Sequence, residues 1–148
     1  MSEFQIDIQE AENTPLALEI HRLLVENNIE QFGPANRQPL VIGIRQEGQL
    51  VGGLRGCTHW GWLYITHLWV APDFRRLKLG KLLLEKAEQE AIKRGCPGFY
   101  VDTFSPAAVH FYQSAGYELF GTIPDFPSGH QRFFLMKKPV PSVEMRSF

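Results

Sequence analysis

Leu68-Trp69-Val70-Ala71-Pro72-Asp73-Phe74-Arg75-Arg76-Leu77-Lys78-Leu79-Gly80-Lys81-Leu82-Leu83-Leu84 decides how the rest of the chain is read. It begins as an apolar strand, turns at Pro72, passes through a short basic loop and enters an amphipathic helix. A strand that feeds a helix N-terminus through a compact loop points several backbone N–H groups at one spot. The unpaired amides and the helix dipole both favour an anion there, and a phosphate or pyrophosphate suits the geometry. Arg75, Arg76, Lys78 and Lys81 add positive charge around it. Taken alone, the same stretch is equally a strand-to-helix connection with a solvated basic loop.

A second stretch bears on that choice. Residues 98–117 read Gly-Phe-Tyr-Val-Asp-Thr-Phe-Ser-Pro-Ala-Ala-Val-His-Phe-Tyr-Gln-Ser-Ala-Gly-Tyr: a strand, a helix opened by Ser105-Pro106, a stop at Gly116, and another strand. With both stretches in this order, the chain resembles the GNAT acetyltransferase superfamily. There an Arg/Gln-x-x-Gly-x-Gly/Ala loop holds the acetyl-CoA pyrophosphate and an Ala-x-x-Phe/Leu-Tyr-x-x-x-Gly-Phe/Tyr helix follows. The counterparts here are Arg75-Arg76-Leu77-Lys78-Leu79-Gly80 and the helix Ala108 to Tyr117. The resemblance extends over residues 4 to 138.

Around these stretches the pattern is that of a mixed α/β domain. Phe4 to Ile8 alternates like a first strand. Thr14-Pro15 looks like a helix start, after which Leu16, Ile20, Leu23, Leu24 and Ile29 recur at helical spacing until Gly33-Pro34. Leu40–Arg45 and Leu50–Thr58 read as a hairpin turning at Glu47-Gly48-Gln49, and residues 62–70 as a further strand. Residues 79–94 read as a helix burying Leu79, Leu82, Leu83, Ala87 and Ile92, ended by Gly95. Residues 99–104, 117–122 and 132–136 complete the strands. The expected organisation is one domain over residues 1–138, with a mobile tail over 139–148. The resemblance adds a mostly antiparallel central sheet, splayed near its middle and flanked by helices.

Bulk properties narrow the classes. With 148 residues, the chain is long enough for one domain with a real core and too short for two ordinary ones. A net charge of −1 argues against binding nucleic acid through bulk charge. No apolar run reaches the ~18 residues of a membrane span. The N-terminal residues lack a signal-peptide core, and two cysteines, Cys57 and Cys96, make no disulfide framework, so a reducing cytoplasm is the expected compartment. Both cysteines read as buried small hydrophobes. No metal-ligand spacing is present.

The resemblance implies roles for particular residues. Leu68 and Val70 would offer backbone groups to the pantetheine arm. The amides of Arg76, Leu77, Lys78, Leu79, Gly80 and Lys81 would cradle the pyrophosphate, with Arg75 and Arg76 adding charge. Lys78 departs from the family by standing where its first glycine usually is. Tyr112 would protonate the leaving CoA thiolate, a role suited to a phenol that stays protonated near neutral pH. Ser105 would cap its helix and also touch the cofactor. The general base is not marked: Tyr64, Thr66, His67, Asp102, His110, Asp125 and His130 are candidates. His67 falls on the opposite strand face from Thr66 unless a bulge intervenes. The aromatics Trp60, Trp62, Trp69, Phe32, Phe126, Phe133 and Phe134, with the Pro124–His130 loop, are core residues or an acceptor pocket. The implied activity is acetyl-CoA-dependent transfer to the amine of a small molecule, in a chain that can be a homodimer. The alternatives are a CoA-binding or interaction module without turnover, and an acetyltransferase for a protein or aminoacyl-tRNA amine.

Overall fold

Two-residue turns shape the first half of the sheet. Glu47 and Gly48 both have positive φ, 51° and 81°, as do Trp60 and Gly61, at 44° and 80°. This is the twist that lets antiparallel strands reverse without splaying. Around these turns run β1 (Gln38–Gln46), β2 (Gln49–His59) and β3 (Trp62–Val70). The Arg45 guanidinium donates to the Gly48 carbonyl at 2.8 Å and ties the first turn to its strand.

The structure is a computed structural model and describes residues 3–138. The expected tail, 139–148, lies outside the described residues. Two units are distinguished, Met1–Ala35 and Asn36–Phe148. The first contains α1 (Pro15–Phe32). The Thr14 hydroxyl oxygen accepts from the Ala17 amide at 3.1 Å, Pro15 occupies the first turn, and Gly33, at φ 78°, ends the helix. The expected strand over residues 4–8 is absent; these residues carry no ladder pairing and are exposed. Alternation of apolar residues describes a strand face but supplies no partner for its backbone.

In the second unit β3 leads through a 3-10 segment (Pro72–Leu77) into α2 (Leu79–Lys93), then β4 (Gly98–Thr103), α3 (Pro106–Ser114), β5 (Glu118–Pro124) and β6 (Gln131–Lys137). The six strands lie in the order β1-β2-β3-β4-β6-β5, and only β3 and β4 are parallel. That pair is joined through α2, as a parallel connection requires. It is hydrogen-bonded only from Trp62–Gly98 to Ile65–Val101. Beyond Ile65 and Val101 the two strands part, so the second half of β3 has a free edge toward β4.

The core lies where α2 and α3 cover one face of the sheet. Leu54, Leu63, Ile65, Leu83, Leu84, Phe99 and Leu135 are fully enclosed, each worth about 1.5–3 kcal/mol relative to exposure. The buried stripe of α2 is Leu83, Leu84, Ala87 and Ala91, not the expected one; Leu82 and Ile92 are 43% and 54% exposed. Ala91 continues the i, i+4 row of Leu83 and Ala87, whereas Ile92 points a third of a turn away. Small alanines let the helix lie close to the sheet. Cys57 and Cys96 are buried free thiols, as expected. No helix among the described residues is long and apolar enough to cross a membrane.

Candidate active site

The free edge of β3 and the start of α2 bound a cavity of about 860 Å3. Its β3 wall is Leu68 to Val70. Arg75, Lys78, Gly80 and Lys81 form the wall at the helix start, and Ser105, Phe111 and Tyr112 contribute from the α3 side. Eight of the eleven residues singled out from sequence therefore meet here. The other three, Arg76, Leu77 and Leu79, belong to the same turn but do not line the cavity.

The turn is built around Lys78, which has φ 59° and ψ 28°. This left-handed conformation is the one glycine adopts freely, and it costs other residues about 1–2 kcal/mol. The lysine therefore follows the backbone path that a glycine would take. Its carbonyl accepts from the Leu82 amide at 3.1 Å, and no side chain caps the helix. The amides of the first turn of α2 are left for another acceptor, amid three cations. Gly80 packs against the Phe111 ring, where an added Cβ would sit 3.5 Å from the ring edge. Arg75 Nε donates to the Val70 carbonyl at 3.0 Å and fastens the turn to the strand end.

On the other wall, the Ser105 hydroxyl oxygen accepts from the Ala108 amide at 3.2 Å and so caps α3 while it lines the cavity. About two turns after the cap, Tyr112 is 4% exposed and packs edge-on to Phe111 and Tyr117. Burial pushes its phenol up to about 12, and the Asp102 carboxylate adds to the shift. The group is a protonated donor at neutral pH.

Four of the seven base candidates fall into two pairs. β3 bulges between its pairings to Arg55 and Gly56, leaving Thr66 as the extra residue. The bulge brings Thr66 and His67 together: His67 Nδ1 lies 2.8 Å from the Thr66 hydroxyl, which donates to the Arg55 carbonyl at 3.1 Å. A Cβ on Gly56 would collide with the Tyr64 carbonyl oxygen, so the residue opposite the bulge has no room for a side chain. On the sheet face away from α2 and α3, Tyr64 donates to Asp102 Oδ1 at 2.6 Å, and Arg132 Nη2 reaches Asp102 Oδ2 at 2.6 Å. The hydrogen bond to Asp102, followed by burial, raises Tyr64 to about 12. Tyr64 stacks on Tyr100, whose hydroxyl meets His59 Nε2 at 3.3 Å. His110 is exposed on α3. Asp125 and His130 lie in the exposed β5–β6 loop, where Asp125 accepts from the Gly129 amide at 3.4 Å. Phe126 of that loop stacks under the Arg132 guanidinium at 4.5 Å.

Sequence reasoning missed Arg132, Thr103 and Phe111. Arg132 is one cation on an alternating strand, and nothing local links it to a carboxylate thirty residues earlier.

Residues 6–117 match the model of the acetyltransferase (GNAT) family. The chain is 39% identical over 116 residues to an acetyltransferase of Agrobacterium fabrum, covering 78% of this chain and 85% of that protein. It is 40% identical over 94 residues to a blasticidin-S acetyltransferase of Streptomyces morookaense, covering 63% and 69%. A crystal structure assigned as an acetyltransferase from Agrobacterium tumefaciens superposes with a TM-score of 0.79 at 35% identity, covering 93% of this chain and 99% of that one.

Proposed function

The chain belongs to the acetyltransferase (GNAT) family, and from this we propose that it transfers the acetyl group of acetyl-CoA to the primary amine of a small molecule by direct attack. The observation that carries the reading is the cavity between the free edge of β3, the uncapped start of α2 and the buried Tyr112. Its size suits a nucleotide-bearing thioester, and its charge is concentrated at one end. The small-molecule acceptor rests on the likeness to a blasticidin-S acetyltransferase.

Acetyl-CoA supplies an activated acyl group as a thioester. The backbone of Leu68 and Val70 would pair with the pantetheine arm along the free strand edge. The amides of residues 76–81 would receive the pyrophosphate, with Arg75, Lys78 and Lys81 screening its charge. Lys78 does not spoil this arrangement, because it holds the glycine-like backbone conformation and keeps its N–H. Ser105 would cap α3 and contact the pantetheine side. Tyr112 would hand its proton to the departing sulfur. Holding two reactants in one cleft accounts for most of the expected acceleration.

The test is thiol release from acetyl-CoA across blasticidin S, ethanolamine, benzylamine, spermidine and an alanine-starting peptide, beside calorimetric titration with acetyl-CoA. Binding with turnover of a small amine supports the reading. Turnover of the peptide alone would transfer the assignment to a protein acceptor. Binding without turnover of any amine would make the chain a CoA-binding module.

A further inference from the structure

We propose that Tyr117, Glu88 and Lys137 form a bracket that holds the Tyr112 phenol in place at the cavity wall, and that they are positioning residues for acyl transfer. The proposal rests on the acetyltransferase reading with Tyr112 as its proton donor.

The argument starts from what holds Tyr112. Its hydroxyl has no hydrogen-bond partner among the described residues, although the residue is only 4% exposed. A buried phenol ordinarily finds such a partner. Here no polar contact fixes where the oxygen points. Its direction is set by the backbone and by two edge-on ring contacts, to Phe111 at 65° and to Tyr117 at 61°. Phe111 lines the cavity and packs on Gly80, so it belongs to the binding wall as well. Tyr117 does not line the cavity, and its link to the site runs through Tyr112.

Tyr117 is itself fixed at both ends. Gly116, at φ 97°, turns the chain back, and the Tyr117 amide donates to the Tyr112 carbonyl at 3.0 Å. At the far end of the ring, the Tyr117 hydroxyl donates to Glu88 Oε2 at 2.8 Å. Lys137 Nζ donates to Glu88 Oε1 at 3.0 Å, so each oxygen of the carboxylate has a partner. The Glu88 side chain is 13% exposed, which shields the pair from water. Lys137 also runs along the turn. Its ammonium lies 5.8 Å from the centre of the Tyr117 ring, and a Cβ on Gly116 would sit 3.4 Å from its Cε. Burial, followed by the Glu88 charge, keeps the Tyr117 phenol protonated, so its bond to Glu88 persists at neutral pH.

Three elements meet in this bracket: Glu88 from α2, Lys137 from β6, and Tyr117 at the entry to β5. The end of α3 that bears Tyr112 is thereby tied to its neighbours by a polar network outside the cavity. A proton donor has to lie within hydrogen-bond reach of the departing sulfur. A misplacement of about 1 Å costs on the order of a hundredfold in rate. An anchored ring packed against an unanchored one supplies the missing constraint.

Tyr117→Phe keeps the ring contact and removes the anchor. With the amine that the wild type acetylates fastest, kcat should fall by about three- to tenfold. The KM for acetyl-CoA should stay within about twofold, because no bracket residue lines the cavity. The same substitution in a Tyr112→Phe background should cost less than about 1.5-fold, since the hydroxyl it positions is already gone. A loss of fold would lower activity equally in both backgrounds. Lys137→Met should reproduce the fall in kcat, and Lys137→Arg, which keeps a cation for Glu88, should restore it. A readout independent of turnover is the ring-flip rate of Tyr112 in 13C-ε-tyrosine NMR with CoA bound, its signal being the one that Tyr112→Phe removes. Tyr117→Phe should make that ring flip faster. Equal losses in both backgrounds, no loss in the wild-type background, an unrestored Lys137→Arg or an unchanged flip rate would each overturn the proposal. Full activity in Tyr112→Phe would overturn it while leaving the acetyltransferase reading in place. A wild type that binds acetyl-CoA but acetylates nothing would overturn that reading, and this proposal with it.

Discussion

The Arg75 guanidinium donates to the carbonyl oxygen of Val70 at 3.0 Å, so one cation both lines the cavity and fastens the basic turn to the end of β3. Arg76 stands next to it in the chain but is not part of the cavity wall. The two arginines are therefore separable. Arg75→Ala should weaken CoA binding by about tenfold, through lost charge and a loosened turn, and Arg76→Ala by about threefold or less. Raising the salt should lower wild-type affinity and narrow the gap. Calorimetry on the two variants at two ionic strengths is the check; a larger effect at Arg76 would misplace the anion.

Lys78 offers a sharper probe, because its left-handed conformation sets stability and binding apart. Lys78→Gly removes a cost of about 1–2 kcal/mol and adds back about 0.5–1 kcal/mol of chain entropy. The variant should be as stable as the wild type or up to about 1.5 kcal/mol more so, measured by urea unfolding. Affinity for acetyl-CoA should change by less than about tenfold, since the backbone path is already the glycine path. A large gain in affinity would mean that the lysine obstructs the site.

That glycine-like path shows what the sequence could and could not convey. The motif placed Lys78 in the turn, and the backbone follows the motif even though the residue departs from it. Helix starts at Thr14-Pro15 and Ser105-Pro106 were legible because a cap is a local hydrogen bond. The strand expected at residues 4–8 was not borne out, because a strand is defined by its partner. The buried stripe of α2 was misread by about a third of a turn, since leucine at Leu82 and alanine at Ala91 invert the usual rule of large residues inside. Tyr64 and Asp102 were both candidates, but their pairing, and the part of Arg132 in it, depends on the parallel register of β3 and β4 and on the neighbouring β6. No local spacing encodes that.

The chain has four tyrosines, and Tyr64, Tyr100, Tyr112 and Tyr117 are all raised above the ordinary value of 10.0. Above pH 10 the unfolded chain releases phenolic protons that the folded chain keeps. The folded state then binds more protons than the unfolded one, so stability falls as pH rises. The contribution is fully present below pH 10 and is lost progressively through about 12, where Tyr64 and Tyr112 ionise in the fold. Urea midpoints should be flat from pH 8 to 9.5 and drop steadily from 10 to 11.5. Tyr117→Phe should make that drop shallower. At pH 8 the same variant should lose about 1–2 kcal/mol, because the Tyr117 hydroxyl donates to Glu88 Oε2 at 2.8 Å, a carboxylate shared with Lys137.

Tyr112 is where burial and chemistry are hardest to separate. Its ring packs edge-on to Phe111 and Tyr117, with centroids 5.2 and 5.4 Å away, and its residue lines the cavity. Tyr112→Phe removes one oxygen and keeps both ring contacts. If the phenol protonates the thiolate, turnover should fall by about ten- to a thousandfold. Acetyl-CoA binding should change by about 1 kcal/mol or less. The phenol sits near 12 in the fold, so the wild type should keep its donor across the neutral and mildly alkaline range, and any basic limb due to this group should disappear in the variant. A purely packing role predicts the reverse, with the melting temperature lowered and turnover intact. Turnover, pH profile and melting temperature measured on the same variant separate the two, and full activity would leave the sulfur to take its proton from water.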